Sequence, residues 1–213
     1  MNELTKNCIF EEAEVTGYTS EGLGVCRIEG RAVFVPGVIE GEKIRLRILK
    51  VTAGACYGRA LEILEPSPFR AAPDCPVYGK CGGCALRHME YAEELRFKLG
   101  KVNDAFRHIG GLDLECSGII GSDETCGYRN KAIYSVAASA DGKPYYGFYR
   151  QRSHDVIAVD HCALQSSLSS RAAAAVTEFM KKYSIPAYDE ATGKGTVRHV
   201  YVRTARHSRD AVW

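Results

Sequence analysis

Three closely spaced thiols, Cys75, Cys81 and Cys84, are the residues whose types and spacing most directly prescribe a chemistry. Thiolates are soft ligands that suit zinc or the iron of an iron–sulfur cluster, and either centre asks for four ligands. In Cys75-Pro-Val-Tyr-Gly-Lys-Cys81-Gly-Gly-Cys84, small residues stand where backbone must wrap tightly, and the amides of Gly82 and Gly83 are placed to point at sulfur. Structural zinc sites commonly use two C-x2–4-C pairs, whereas only Cys81 and Cys84 make such a pair here. A longer spacer before the pair, with a lone ligand elsewhere, fits a cubane cluster better, and zinc stays as the alternative. Spacing leaves the fourth ligand open, since Cys116, Cys126 and Cys162 all lie downstream.

The nine cysteines are an odd number, and the opening Met1-Asn-Glu-Leu-Thr-Lys6 lacks the apolar run of a secretory signal. No apolar stretch has the length of a membrane span. These features point to a cytoplasmic chain with no membrane partner, where clustered cysteines mean metal or catalysis more often than disulfides. Cys8, Cys26, Cys56, Cys116 and Cys126 have no recognisable catalytic context and read as bystanders. The 213 residues, 46% hydrophobic and 25% charged, leave room for one large or two small domains. The net charge is only +2, but basic residues gather near the C-terminal end, where Lys194, Arg198, Arg203, Arg206 and Arg209 face only Asp210.

The elements that must position the thiols divide at Glu65-Pro-Ser-Pro-Phe-Arg-Ala-Ala-Pro-Asp74, whose prolines favour extended linker backbone. Before it, strands are expected at Cys8–Tyr18, Gly24–Ile28, Ala32–Val35, Lys43–Lys50 and Tyr57–Leu64, a pattern of short strands and Gly-rich turns that makes a small OB-like barrel. Lys43, Arg45 and Arg47 alternate with Ile44, Leu46 and Ile48, so the cations share one strand face. Such a face is a solvated exterior or, in an OB-like barrel, a track for nucleic-acid backbone.

After the cysteine loop, Tyr91, Leu95, Leu99, Val102, Phe106 and Ile109 recur at helical spacing, predicting an amphipathic helix over Glu90–Ile109 that Gly110-Gly111 stops. His88 and His108 read as helix-end residues. An antiparallel meander follows in Tyr128–Val136, Tyr145–Arg150 and His154–Val159, with Cys162 just beyond it, where a loop can fold back on the cysteine loop. A second helix over Ser166–Tyr183 carries Leu168, Ala172, Val176, Phe179 and Met180 on its apolar stripe. A strand at Thr196–Thr204 comes next, and Ala211-Val-Trp213 reads as a strand opening without a partner, as expected for the front part of a longer protein.

Taken together, these residues resemble a known family. Gly22-Leu-Gly24, Phe34-Val-Pro-Gly37 and Gly41-Glu42 are similar to the TRAM domain, an OB-like RNA-binding barrel. The cysteine loop with Cys162, Tyr128-Arg-Asn-Lys131, Gly147-Phe-Tyr-Arg150 and Arg152-Ser-His154 resemble the central domain of the RNA uracil-5-methyltransferases that act on 23S ribosomal RNA. The resemblance implies a TRAM barrel over residues 1–65, a Pro-rich linker over 66–74, and an α+β antiparallel-sheet domain over 75–213 that carries an iron–sulfur cluster. It implies a [4Fe–4S] cluster on Cys75, Cys81, Cys84 and Cys162. By the same resemblance the Rossmann-like methyltransferase domain, the nucleophile and the S-adenosylmethionine site lie beyond Trp213, so that the 213 residues alone are expected to be inactive, with no catalytic or cofactor-binding residue among them.

The expected partner is ribosomal RNA, bound by a monomer. Phosphate contacts are expected from Arg129, Lys131, Arg150, Arg152, His154, Arg198 and Arg203, with the barrel stripe Lys43, Arg45 and Arg47 steering a distant part of the same RNA. Two rivals are a non-catalytic zinc-containing RNA-binding module and a TRAM-bearing radical S-adenosylmethionine enzyme. The second needs three cysteine ligands at spacings of three and two, and this chain has five and two.

Overall fold

The computed structural model describes residues 4–205 and the backbone of 211–212. Arg206, Arg209, Asp210 and Trp213, singled out above, lie outside the described residues. The chain forms two compact units, Met1–Asp74 with Ala85–Gly121, and Cys75–Cys84 with Ser122–Trp213. These boundaries differ from the expected division at 65 and 74, because the first long helix belongs with the barrel.

In the first unit, β1 (Ile9–Tyr18), β2 (Gly24–Ile28), β3 (Arg31–Val35), β4 (Lys43–Val51) and β5 (Cys56–Glu65) close a barrel in the order β1-β2-β3-β5-β4. Pairing is antiparallel except between β3 and β5. Alternation decides the interior: Ile44, Leu46 and Ile48 are fully buried with Val15, Val33 and Val35. Cys26 and Cys56 are also fully buried, and burial pushes the Cys26 thiol up to about 11, so both act as small core hydrophobes. Gly24 has a packing reason, since a Cβ there would overlap Val38 and Val15, and Gly41 turns the chain at φ +84°, a left-handed backbone.

Beside Gly41, the Glu42 side chain is fully buried. Its carboxylate accepts hydrogen bonds from the amides of Ile39 at 2.9 Å and Ser67 at 3.1 Å, and from Arg70 Nε at 2.5 Å and Nη2 at 2.6 Å. Burial alone would raise this carboxyl, but the Arg70 hydrogen bond, the two amides and the Arg70 charge together hold it below its ordinary value. This network corrects the linker expectation for 66–74. Ser67 and Arg70 are bound to Glu42, Arg70 bridges to Met89, and the Ala71 amide donates to the His88 carbonyl at 2.9 Å. His88 is buried as well, with Nε2 3.3 Å from the Val38 carbonyl, so it is a core residue rather than a helix-end one.

The helix α1 (Tyr91–Asp104) runs into a single π-helical turn, Ala105–Ile109. Its expected apolar stripe is not its buried face. Val102 is exposed, Ile109 is 87% exposed, and the one buried residue is Glu93. The cause is polar: Glu93 accepts from the Tyr18 hydroxyl at 2.6 Å and from Arg96, while Tyr18 packs edge-on against Phe97.

The second unit is a five-stranded antiparallel sheet ordered β10-β9-β6-β7-β8, from β6 (Lys131–Ala138), β7 (Pro144–Tyr149), β8 (Val156–Ala158), β9 (His199–Thr204) and β10 (Ala211–Val212). The meander is present, with shorter strands than expected, and the Ala211 opening has a partner after all, pairing with Thr204 of β9. The helix α2 (Ser167–Lys182) is capped by Ser166, whose hydroxyl accepts from the Ser169 amide, and it buries Ala173 and Met180 against Tyr134, Val136, Val200 and Val202. The Tyr134 hydroxyl lies 3.1 Å from those of Ser169 and Ser170, which satisfies all three inside the core. Phe179, expected in this core, is 55% exposed, because the packed face turns through Ala173, Thr177 and Met180 instead.

Replacing Glu42 by Ala strands Arg70 and two backbone amides, and the expected loss is about 3 kcal/mol of stability, read as a lowered urea midpoint. An unchanged midpoint would show that water replaces the carboxylate at no cost.

Candidate metal centre and RNA interface

The loop Cys75–Cys84 is built from turns: the Tyr78 amide donates to the Cys75 carbonyl at 3.1 Å and the Cys81 amide to the Val77 carbonyl at 2.9 Å. It is then fixed to the hairpin of β7 and β8. The Gly82 amide donates to the Tyr149 carbonyl at 3.2 Å, the Gln151 amide to the Lys80 carbonyl at 3.0 Å, and Cys81 forms a β-bridge with Arg150. Of the two glycine amides expected to face sulfur, Gly83 does so, at 3.4 Å from Cys81 Sγ, while Gly82 is committed to the strand.

Cys75, Cys81, Cys84 and Cys162 line one cavity of about 50 Å³, walled by Val77, Phe148, Val159 and Leu164 and edged by Arg129 and Gln165. Cys116 and Cys126 are absent from that lining. Burial pushes the Cys81 thiol up, the Gly83 amide and Arg129 oppose this, and the neighbouring Cys162 and Cys75 raise it further, so these sulfurs feel one another. Among the described residues, no three His, Cys, Asp or Glu side chains converge closely enough to hold a single metal ion. Gln165 Oε1 is buried at the cavity edge without a hydrogen-bond partner among the described residues.

The ten basic candidates separate by what already holds them. Lys43 pairs with Glu65 at 2.9 Å and Glu12 at 3.9 Å, and Arg45 with Glu11 at 3.0 Å, leaving Arg47 as the exposed cation of that barrel stripe without an ion pair among the described residues. In the second unit, Arg129 falls outside β6, tied by its amide to the Leu164 carbonyl at 3.0 Å, and borders the cysteine cavity. Arg150 lies 3.7 Å from Asp155, and Arg152 is exposed at a left-handed turn. His154 and Arg198 converge on Glu190, at 2.7 Å and 2.6 Å, so a carboxylate already occupies the place a phosphate would take. Lys131 and Arg203 stand directly opposite each other on β6 and β9, both exposed and without an ion pair among the described residues.

Sequence reasoning missed Glu190, Gln165, Tyr149 and Tyr201. Tyr201 had a signal, since it alternates with Arg203 on one strand; Glu190 had none, because its partner His154 is remote along the chain.

Residues 11–61 match the model of the TRAM domain, so the barrel carries that domain over most of its length. Beyond it the chain is similar to proteins named as RNA methyltransferases. One, an uncharacterized RNA methyltransferase of Clostridium tetani, is 38% identical over 191 residues, covering 90% of this chain and 41% of the relative. Another, from Halalkalibacterium halodurans, is 36% identical over 206 residues, covering 96% of this chain and 44% of the relative. Among solved structures, the tRNA (uracil-54, C5)-methyltransferase of Pyrococcus abyssi in complex with S-adenosyl-L-homocysteine matches with a TM-score of 0.67 at 21% identity, over 94% of this chain and 44% of that one. The likeness establishes the fold, and the chain spans less than half the length of these relatives.

These matches correct the expected fold class. It set the methyltransferase domain outside the chain, yet methyltransferases match along nearly all of it, and no absence of that domain is supported. The expected inactivity, which rested on that absence, falls with it. What stands is a TRAM barrel joined to an antiparallel sheet unit in a chain similar to RNA methyltransferases.

The Glu190 carboxyl is held at about 2, first by the His154 hydrogen bond and then by that of Arg198. A lowered carboxyl contributes above its unfolded value, near 4.3, and loses that contribution as pH falls through the folded value. A carbon-13 titration is expected to place the Glu190 midpoint near 2, and Arg198→Ala to raise it; an ordinary midpoint in both proteins would show that the cluster does not persist in solution.

Proposed function

We propose that this chain is part of an S-adenosylmethionine-dependent RNA (uracil-5-)-methyltransferase of the 23S ribosomal RNA type, with a [4Fe–4S] cluster on Cys75, Cys81, Cys84 and Cys162. The observation that carries the reading is the TRAM domain over residues 11–61 inside a chain that aligns with named RNA methyltransferases along nearly its whole length. Uracil as the base is supported by the fold of the uracil-C5 enzyme, and ribosomal RNA by the order of motifs from the TRAM signature to Arg152-Ser-His154.

The residues around the cavity fit a cluster. A single zinc ion would need its sulfurs at about 2.3 Å from one point; thiols spread around a cavity wall suit the wider footprint of a cubane, in which each iron takes one thiolate. Arg129 offsets the charge of an anionic centre, the Gly83 amide already faces sulfur, and the Gln165 side chain lines the cavity with its Oε1 buried and without a hydrogen-bond partner among the described residues. Bound there, a cluster supplies iron–thiolate cross-links between the Cys75–Cys84 loop and the turn after β8. Uracil methylation moves no electron, so the role assigned to it is architectural.

S-adenosylmethionine supplies the methyl group in such a reaction, and no residue of this chain is assigned to it. The target uracil must leave its stack to be reached, which makes holding the surrounding RNA the task of these units. Arg47, Lys131 and Arg203 are the cations best placed for it, because acids hold several of the others.

Anaerobic purification is expected to give a brown protein with thiolate-to-iron absorption and roughly four irons per chain, and Cys162→Ser to lose most of that iron and melt earlier. Stoichiometric zinc without iron would overturn the cluster. With labelled S-adenosylmethionine, the whole protein is expected to place label in 5-methyluridine of 23S ribosomal RNA. Label in transfer RNA alone would overturn the ribosomal assignment, and label in another base would overturn uracil.

A further inference from the structure

The sheet of the second unit has one covered face and one open face. Ala132, Tyr134 and Val136 of β6 and Val200 and Val202 of β9 point into the core with α2. Their neighbours in the alternation, Lys131, Ile133, Tyr201 and Arg203, point the other way, and Ile133 and Tyr201 are each 44% exposed. Register makes this face specific: Ile133 lies directly opposite Tyr201, and Lys131 directly opposite Arg203. Lys131 Nζ sits 5.5 Å from the centre of the Tyr201 ring. Tyr149, at the end of β7, hydrogen-bonds His199 of β9 at 3.4 Å and stacks on His154, which continues the aromatic strip.

The cation–π contact of Lys131 with Tyr201 gives this arrangement some stability of its own, but it does not account for the second cation. Like charges directly opposite each other on adjacent strands are unfavourable, and Lys131 and Arg203 make no ion pair among the described residues, although carboxylates hold His154, Arg198, Lys43 and Arg45. An exposed tyrosine beside two opposed cations, neither of them ion-paired among the described residues, offers what a base with adjoining phosphates requires: a π-face for the ring and point charges for the backbone. A duplex would use only the cations, since its bases are already stacked on one another.

We infer that this open face is a stacking platform for an unpaired stretch of RNA, with a base on Tyr201 and adjoining phosphates on Lys131 and Arg203. The inference rests on the RNA-methyltransferase reading and adds the single-stranded state of the bound segment. It also accounts for Ile133, whose side chain faces Tyr201 across the strand pair and widens the apolar surface under the base.

The test is an anisotropy titration, at several salt concentrations, of the protein with a labelled RNA strand of about twelve nucleotides and with the same strand in a duplex. Tyr201→Ala is expected to weaken single-strand binding about tenfold without changing the salt slope or duplex binding, and Tyr201→Phe, which keeps the ring, to restore it. Lys131→Gln with Arg203→Gln is expected to flatten the single-strand salt slope by between about one and two. Tyr201→Ala binding both RNAs as the wild type does, or losing both equally, overturns the platform and leaves the methyltransferase reading standing. Wild-type protein that binds neither RNA overturns both.

Discussion

The second unit is organised by two backbone hydrogen bonds and a β-bridge that lay the Cys75–Cys84 loop along the end of the β7–β8 hairpin, from Gly82 to Tyr149 and from Gln151 to Lys80. Tyr149 ends β7, Arg150 bridges to Cys81, the chain turns through Arg152, and three residues of β8 lead to Val159 and the turn that carries Cys162. Once the loop is fastened to that hairpin, the remote cysteine has little freedom: the turn after β8 delivers it to the cavity lined by the other three. The same hairpin end presents Tyr149 to His154 and His199, so the thiols and the aromatic strip depend on one piece of backbone geometry.

Charge is distributed with an economy that a count of basic residues does not reveal. Glu190 takes up His154 and Arg198, and Glu65, Glu12 and Glu11 take up Lys43 and Arg45. Glu42 sits at the other extreme, fully buried and bound on several sides, where it fastens the proline-bearing segment and Arg70 to the barrel. Exposed ion pairs of the first kind contribute little to stability, but they fix the directions of the side chains they join. Lys131 and Arg203 make no ion pair among the described residues although they stand directly opposite each other on adjacent strands, and that opposition sets the open sheet face apart from single unpaired cations such as Arg47.

The two helices show where periodicity stops being informative. In α2 the small residues Ala172, Ala173 and Ser169 let the helix approach the sheet, and the packed face shifts away from the bulky Phe179. In α1 the stripe of Leu95, Leu99 and Val102 is only partly covered, because Glu93 finds Tyr18 and Arg96 and is drawn inward. A hydrophobic stripe records what a helix can bury. Which part of it is buried depends on partners remote along the chain.

Alternation in Lys43-Ile-Arg-Leu-Arg-Ile48, glycine at tight turns and the spacing of Cys75, Cys81 and Cys84 were enough by themselves to determine the barrel strands, the inward face of β4 and a thiol-rich loop, because each is set by sterics and side-chain period within a few residues. Spacing left Cys116, Cys126 and Cys162 open and only the family resemblance singled out Cys162, which the tertiary structure brings to the loop's cavity; tertiary structure alone decided that Glu190 holds two of the expected phosphate ligands and that Tyr201 stands beside two opposed cations. Each of these depends on strand register and loop closure between distant segments, and local sequence carries no record of which carboxylate, thiol or ring will be delivered to a given cation.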